Sequence, residues 1–380
     1  MSHGAADDIH WGEEDERAEP VQRVSTLELF FDLVFVFTLT QLTELLAHEL
    51  SLAGFARVLL IFGVSWWMYG GYAWLTNHLP LDRPARRVTL LLAMAAFLVQ
   101  GLAIPHAFDG AGLAFGLGYL GVVLVHASLF WQATRAIGRT AALNVGSALL
   151  VILAGFVHGW MDYVLWTLAV GVQVVTPFLV RLEDFRIRPA HFVERHGLLM
   201  LVALGESVVA IGIGAGGLPV DAGLVAAAGL GLALVACLWW TYFGEDDALA
   251  EQALSRVPVE ARAAMAIHAF FYAHIPMLLG VVCLAVGIKK ALAHPMDALP
   301  LAPAMALGGG VAMYLAADVA FRRVLRIGRG TTRAVLAATA LATIPLGGLS
   351  AMLQLVTLVL LFLSAIAVEA SPPSRAARTG

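Results

Sequence analysis

Apolar segments of membrane-spanning length recur along almost the whole chain, and this recurrence constrains its fold more than any other feature. A helix needs about 20 mainly apolar residues to cross the roughly 30 Å hydrocarbon layer of a bilayer. We count about twelve such segments, at residues 25–47, 54–75, 88–108, 112–132, 142–159, 162–180, 194–215, 221–243, 262–288, 301–325, 333–349 and 350–369. The pattern predicts an all-α polytopic membrane protein with about twelve transmembrane helices.

The composition excludes a soluble globular protein. Hydrophobic residues make up 60% of the chain and charged residues 13%, whereas roughly a quarter of the residues in soluble proteins are charged. The net charge of -4 is modest and the arginines are spread over many loops, so no nucleic-acid partner is expected. Both cysteines, Cys237 and Cys283, fall inside predicted spans, which argues against a disulfide framework. The lipid bilayer is the expected partner.

The distribution of basic residues predicts the topology. If every second loop is assigned to the same side as the termini, that side holds 20 of the 23 Lys and Arg residues. The opposite side holds only Arg57, Lys289 and Lys290. Because cytoplasmic loops carry the excess of Lys and Arg, both termini are expected to be cytoplasmic.

A short aromatic motif occurs twice and suggests an internal repeat. Residues 66–71 read WWMYGG and residues 239–244 read WWTYFG, 173 residues apart. An offset of six spans keeps each pair of helices pointing the same way, which predicts two parallel six-helix halves. We therefore divide the chain into an acidic cytoplasmic tail (1–24), a first half (25–180), a second half (194–369) and a cytoplasmic tail (370–380).

The first predicted span carries two carboxylates on one face. Glu28 and Asp32 are four residues apart, so they lie one above the other on a helix. A charged side chain near the middle of a membrane helix costs about 2.5 to 3.5 kcal/mol on insertion scales, and such groups usually line a cavity or pathway. Glu28 lies near the helix end, where it can reach the surface or pair with Arg23. Asp32 lies one turn deeper and is the stronger candidate for binding an ion or substrate.

The seventh predicted span contains Glu206 near its centre, followed by Ser207. Adding the repeat offset to Asp32 gives Gly205, directly beside Glu206. The two carboxylates are therefore expected at similar depth, facing a shared cavity between the two halves. Glu206 and Ser207 join Glu28 and Asp32 as candidates for ion or substrate binding.

Several further polar residues in the spans are secondary candidates, namely Glu194, His196, His274 and Asp318. Residues 194–196 are adjacent charged or polar groups at the start of a span, where solvated or locally paired charges are expected. Asp318 precedes Arg322 by one helical turn, a spacing that favours an intrahelical ion pair. The histidines lack the spacing of metal ligands, so no metal site is predicted.

The sequence lacks the motifs of common enzyme classes. It contains no HExxH metalloprotease motif, no GxSxG nucleophile elbow and no Walker A loop. The hydrophilic loops are also too short to hold a separate catalytic domain. We therefore expect neither an enzyme nor a cofactor.

Two segments resemble a known family. LELFFDLVFVFTLTQL at residues 27–42 and ERHGLLMLVALGESVV at residues 194–209 resemble the bacterial low temperature requirement A (LtrA) family of multispan membrane proteins. The resemblance covers nearly the whole chain apart from the acidic N-terminal tail and the last ten or so residues. It implies a bacterial inner-membrane protein linked to growth in the cold, and it supplies no molecular activity or catalytic residues.

A second resemblance leaves a different function open. FFDLVFVF at residues 30–37 is similar to the FSDGVFAI signature of a potassium-channel family of lysosomes and bacteria, although Phe31 and Leu33 replace its Ser and Gly. The leading hypothesis is a secondary transporter or permease for a small solute or cation that uses intramembrane carboxylates. The alternatives are a cation channel and a structural or sensory membrane protein without transport. The sequence also leaves open a homo-oligomer.

Overall fold

The computed structural model describes residues 24–132, 137–179 and 187–370, and within these ranges the ordered elements are all helical. Ten of the helices in these ranges are long and apolar enough to cross a membrane. The predicted all-α polytopic membrane fold is therefore confirmed.

The described residues of the first half form six α-helices and a short 3-10 helix at Ile104–His106. The α-helices are α1 (Thr26–His48), α2 (Leu52–His78), α3 (Pro84–Ala103), α4 (Gly112–Trp131), α5 (Ile137–Ala154) and α6 (Trp160–Leu179). The start of α1 is fixed by a capping box, in which the Ser25 side chain accepts from the Glu28 backbone N–H while the Glu28 carboxylate accepts from the Ser25 backbone N–H. This cap holds Glu28 at the first turn of α1. The apolar part of α5 is shorter than the ten membrane-length helices.

In the second half the described residues form nine α-helices, several of them short. They are α7 (Pro189–Ala215), α8 (Ala222–Phe243), α9 (Asp246–Arg256), α10 (Val259–Ala266), α11 (His274–Ala293), α12 (Leu301–Leu325), α13 (Thr331–Ala342), α14 (Ile344–Gly347) and α15 (Ala351–Ala370). The predicted span at 333–349 is divided between α13 and α14, because the helix breaks at Thr343 just before Pro345. The predicted span at 262–288 is also interrupted.

That interruption is one turn of π-helix at Ile267–Tyr272, between α10 and α11. A π-helical turn displaces the backbone hydrogen bonds of an α-helix and is frequent at functional sites. Here the Phe271 carbonyl accepts a hydrogen bond from the Trp66 indole N–H of α2, at 3.1 Å. The irregular turn thus ties the second half to the first through a buried side chain.

Helices of the two predicted halves meet around α1. This helix contacts α2 and α3 of its own half, and α7 and α11 of the second half. Within the first half α3, α4, α5 and α6 pack in sequence, and α6 returns to α2. Within the second half α7 contacts α8 and α11. Helices α11, α12, α13 and α15 pack one after another, and α15 contacts α8.

Helices α11 and α12 pack backbone against backbone through glycines. A Cβ on Gly287 of α11 would lie 2.6 Å from the backbone N and Cα of Leu307, and one on Gly310 of α12 would lie 2.6 Å from the backbone N of Leu284. Small residues at these positions therefore permit the close approach that stabilises helix pairs in membranes.

We expect Gly287→Ala to destabilise the protein by about 1 to 3 kcal/mol, because the added methyl group forces α11 and α12 apart. The matched control is Gly309→Ala on α12, where a new Cβ meets no atom within 4 Å. Thermal unfolding of both purified variants in detergent measures the effect. Equal melting temperatures for the two variants would contradict close glycine packing at Gly287.

Candidate functional site

A buried charge cluster lies where α1, α2 and α7 meet. It contains Glu28 and Asp32 of α1 and Arg195 of α7, with exposed fractions of 3%, 0% and 0%. The Arg195 guanidinium donates to Glu28 Oε1 at 3.1 Å and to Asp32 Oδ1 at 3.2 Å. His191, one turn before Arg195, places its Nε2 3.2 Å from Glu28 Oε1. Both carboxylates therefore lie on one face of α1, against one cation of α7.

Glu28 is surrounded by hydrogen-bond donors. Its Oε2 accepts from the Ser25 backbone N–H at 2.9 Å and from the Ser25 hydroxyl at 2.7 Å. Its Oε1 faces Arg195 and His191, as described above. A carboxylate with several donors on both oxygens is stabilised in its charged form. Glu28 is buried against Arg195 and does not reach the surface, and its predicted partner Arg23 lies outside the residues that the structure describes.

The two carboxylate oxygens of Asp32 differ in their hydrogen-bond partners. Its Oδ1 accepts from the Tyr69 hydroxyl at 2.9 Å and from Arg195 at 3.2 Å. Its Oδ2 is buried and has no hydrogen-bond partner among the described residues. A buried acceptor without a donor is costly, so Oδ2 is a position where a proton or another cation is favoured.

Arg195 is held in place by several further contacts. It donates a hydrogen bond to the Thr76 hydroxyl of α2, and its guanidinium carbon lies 5.6 Å from the ring centre of Phe31 and 5.8 Å from that of Tyr69. Cation–π contacts at this range are favourable. The sequence placed Arg195 among interfacial charges, whereas the structure buries it completely.

Glu206 lies in a separate polar group further along α1 and α7. Its Oε2 accepts from the Thr40 hydroxyl at 2.8 Å, and Lys289 of α11 pairs with Glu44 at 2.6 Å one turn beyond Thr40. Thr40 follows Asp32 by eight residues, which corresponds to about 12 Å along the helix axis. Asp32 and Glu206 therefore have different hydrogen-bond partners, and the structure does not bring these two carboxylates together as the repeat offset suggested. Ser207 is buried, and its hydroxyl has no partner among the described residues.

The secondary candidates have different surroundings. Glu194 is exposed and accepts from the Val24 backbone N–H at 3.2 Å, in agreement with a solvated group at the helix entry. His196 is fully buried among aromatic rings, and its Nδ1 bonds the Phe192 carbonyl at 2.8 Å. Both ring nitrogens of His274 form hydrogen bonds, Nδ1 with the Ala269 carbonyl and Nε2 with the Tyr242 hydroxyl. His196 therefore does not belong with interfacial charges, and His274 is part of the aromatic core.

Asp318 belongs to a second buried network, at the junction of α9, α12 and α13. It accepts from Arg333 of α13 at 2.6 Å, while Arg322 pairs with Asp246 at the start of α9. Arg333 also donates to Asp246 at 2.6 Å. The predicted intrahelical pair between Asp318 and Arg322 is wrong, because Asp318 pairs with Arg333 and Arg322 pairs with Asp246.

Four residues of the first cluster escaped the sequence analysis as site residues, namely Arg195, His191, Tyr69 and Thr76. One signal could have found two of them. His191 and Arg195 are four residues apart at the start of α7, just as Glu28 and Asp32 are at the start of α1. If the two helices run parallel, these pairs of opposite charge lie at similar depth.

The part of the chain that the structure describes contains no group of three or more His, Cys, Asp or Glu side chains that could hold a metal ion. Its two free cysteines, Cys237 and Cys283, are buried and unpaired with each other.

Ten membrane-length helices around an interior charge cluster define a polytopic all-α membrane protein. The chain belongs to the bacterial low temperature requirement A protein (LtrA) family, whose sequence model matches residues 23–369. It is 29% identical over 341 residues to an uncharacterized protein of Rhizobium meliloti (strain 1021), and the match covers 84% of this chain and 81% of that protein. No solved structure matches the chain. The resemblance carried by residues 27–42 and 194–209 is thereby confirmed.

Proposed function

We propose that this protein is a secondary transporter of the bacterial inner membrane, with both termini cytoplasmic, and that it couples movement of a small solute or cation to a proton or other cation. The observation that carries the proposal is the charge cluster of Glu28, Asp32 and Arg195. Two carboxylates share one guanidinium in the interior of the bundle. Membrane proteins keep such costly groups chiefly in ion and substrate pathways.

The arrangement of polar groups along α1 supports a pathway. From one end of this helix to the other, Asp32 faces Arg195, Thr40 faces Glu206, and Glu44 faces Lys289. Val36 separates the first group from the second and is buried. A buried apolar position between two polar groups suits alternating access, in which each group is reached from one side at a time.

The location of the cluster supports the same function. Helices α1 and α7 belong to different predicted halves, and substrate and ion sites of repeat transporters lie between the halves. The order of helix neighbours supports the duplication itself, since α1 contacts α2 and α3 much as α7 contacts α8 and α11. The two aromatic motifs differ in burial: Trp66 and Trp67 are buried, whereas the corresponding Trp239 and Trp240 are 39% and 54% exposed.

The proposal predicts that Asp32→Asn and Glu206→Gln reduce coupled flux to the level of empty vesicles. Purified protein is reconstituted into liposomes that contain the pH-sensitive dye pyranine. Inward gradients of amino acids, sugars, polyamines or alkali cations are then imposed one at a time. The matched control is Glu251→Gln, which changes an exposed carboxylate on α9.

The outcomes separate the functional classes. A solute-dependent change in internal pH that both membrane variants lose supports coupled transport. Unchanged flux in both variants would remove the role assigned to Asp32 and Glu206. Currents in planar bilayers without coupling would indicate a cation channel, and a complete lack of solute-dependent signal would favour a structural or sensory protein.

A further inference from the structure

Asn77, near the end of α2, is held in one orientation by the backbone of Arg188. Its side-chain oxygen accepts from the Arg188 backbone N–H at 3.0 Å, and its amide nitrogen donates to the Arg188 carbonyl at 3.1 Å. A rotation of the amide by 180° would place donor against donor and acceptor against acceptor. The position of the Asn77 NH₂ group is therefore determined by the backbone.

This orientation determines the protonation state of His191. The Asn77 amide nitrogen lies 3.3 Å from His191 Nδ1. Because that nitrogen is a donor, Nδ1 must be the acceptor and carries no proton. The ring proton then lies on Nε2, which is 3.2 Å from Glu28 Oε1 but is not aligned for a hydrogen bond with any described residue. His191 is consequently neutral in this arrangement and adds no positive charge to the cluster.

The remaining groups leave one position for an exchangeable proton. The titratable and charged groups that face Asp32 are Glu28 on its own helix, Tyr69 from α2 and Arg195 from α7. Both oxygens of Glu28 are occupied by donors, and arginine stays charged. The cluster therefore holds two negative charges and one positive charge, and Asp32 Oδ2 is its buried carboxylate oxygen without a donor.

We propose that Asp32 Oδ2 is the proton-binding atom of the cluster and that Asn77 is a positioning residue, which keeps His191 neutral so that the proton goes to Asp32. This inference rests on the proposed function, because it names the coupling ion as a proton. A proton on Oδ2 balances the charge of the cluster and converts the buried carboxylate to a neutral carboxyl, which costs less to bury than a charge. If Asn77 were absent, His191 could take a second proton at Nδ1 and compensate the same negative charge in place of Asp32.

Two spectroscopic measurements on the full-length protein in liposomes test the proposal. Solid-state ¹⁵N NMR of histidine-labelled protein is expected to show His191 as the neutral Nε2–H form, identified by difference from His191→Gln. Infrared difference spectra between acidic and alkaline buffer are expected to show a protonated carboxyl band. This band should disappear in Asp32→Asn, shift in frequency in Asp32→Glu, and persist in Glu206→Gln.

The effect of Asn77→Ala distinguishes a positioning role of Asn77 from a merely structural one. It is expected to convert His191 to the doubly protonated form at a pH where the wild type is neutral, and to weaken the Asp32 band. A charged or Nδ1–H His191 in the wild type would overturn the proposal, as would difference spectra in which Asp32→Asn removes no carboxyl band. The wild-type NMR result decides the tautomer even if a variant fails to fold. Neither readout requires a transported solute, so a failed flux assay leaves both measurements valid.

Discussion

Arg195→Leu is expected to lower the stability of the folded protein by about 3 to 5 kcal/mol, because it leaves buried carboxylates without their cation. Glu28 and Asp32 both pair with this guanidinium, and neither is more than 3% exposed. Folded proteins are stable by only about 5 to 15 kcal/mol, so a loss of this size is a large part of the total. Reduced yield and a lower melting temperature in detergent are the expected results.

The pH dependence of the stability of Arg195→Leu identifies the cause of its destabilisation. Without Arg195, the charged form of each carboxylate is strongly disfavoured, and protonation removes that charge. The Arg195→Leu protein should therefore regain stability as the pH falls, relative to wild type at the same pH. Adding Glu28→Gln and Asp32→Asn to Arg195→Leu should restore most of the loss at neutral pH. The matched control is Arg323→Leu, which removes an exposed arginine of α12.

A contrary result would be a similar melting temperature for Arg195→Leu and Arg323→Leu. That outcome would mean that water or another cation compensates the two carboxylates, and that the ion pair does not stabilise the junction of α1 and α7. Failure of the two neutral substitutions to restore stability would point instead to lost packing against Phe31 and Tyr69.

Asp246→Ala is expected to have an effect of similar size, again about 3 to 5 kcal/mol, because it removes a buried partner of two arginines. Asp246 pairs with Arg322 and with Arg333. In the variant, Asp318 still pairs with Arg333, whereas Arg322 loses its pair with Asp246. The start of α9 should detach from α12 and α13. The measurement is thermal unfolding in detergent, with Glu251→Ala on the exposed side of α9 as the control.

The double variant Asp246→Ala/Arg322→Met tests whether the effect is electrostatic, because Asp246 is the carboxylate that pairs with Arg322. If the cost comes from an unpaired buried cation, the double variant should be more stable than the sum of the two single changes predicts. Simple additivity would indicate that the side chains contribute by packing. Because this network lies within the second half, Asp246→Ala should leave the coupled flux per folded molecule unchanged, in contrast to Asp32→Asn.

The sequence allowed much of the fold to be predicted, and its failures have local causes. The helix order and most of the spans were predicted, whereas the breaks at Thr343 and at the π-helical turn of Ile267–Tyr272 were not. Hydropathy averaged over about 20 residues does not resolve a single irregular turn. For the site, Glu28 and Asp32 could be identified because a carboxylate is rare in an apolar helix.

Other features of the site depend on which helices are neighbours. Arg195 had an ordinary explanation in the sequence as an arginine near a helix end, and only the contact of α7 with α1 buries it. Asp318 had a good partner one turn away in Arg322, but Arg333 lies closer in the fold. The role of Asn77 depends on the backbone of a residue 111 positions later in the chain.

The sequence by itself determined that this chain crosses the membrane many times as helices, because each segment must satisfy its own backbone hydrogen bonds in lipid. It also determined which helices carry charged groups. Only the tertiary structure decided which charges meet, since a partner depends on the packing and rotation of helices that are distant in the chain. The same limit explains why Glu206 was expected beside Asp32 and is found about two turns away, against Thr40.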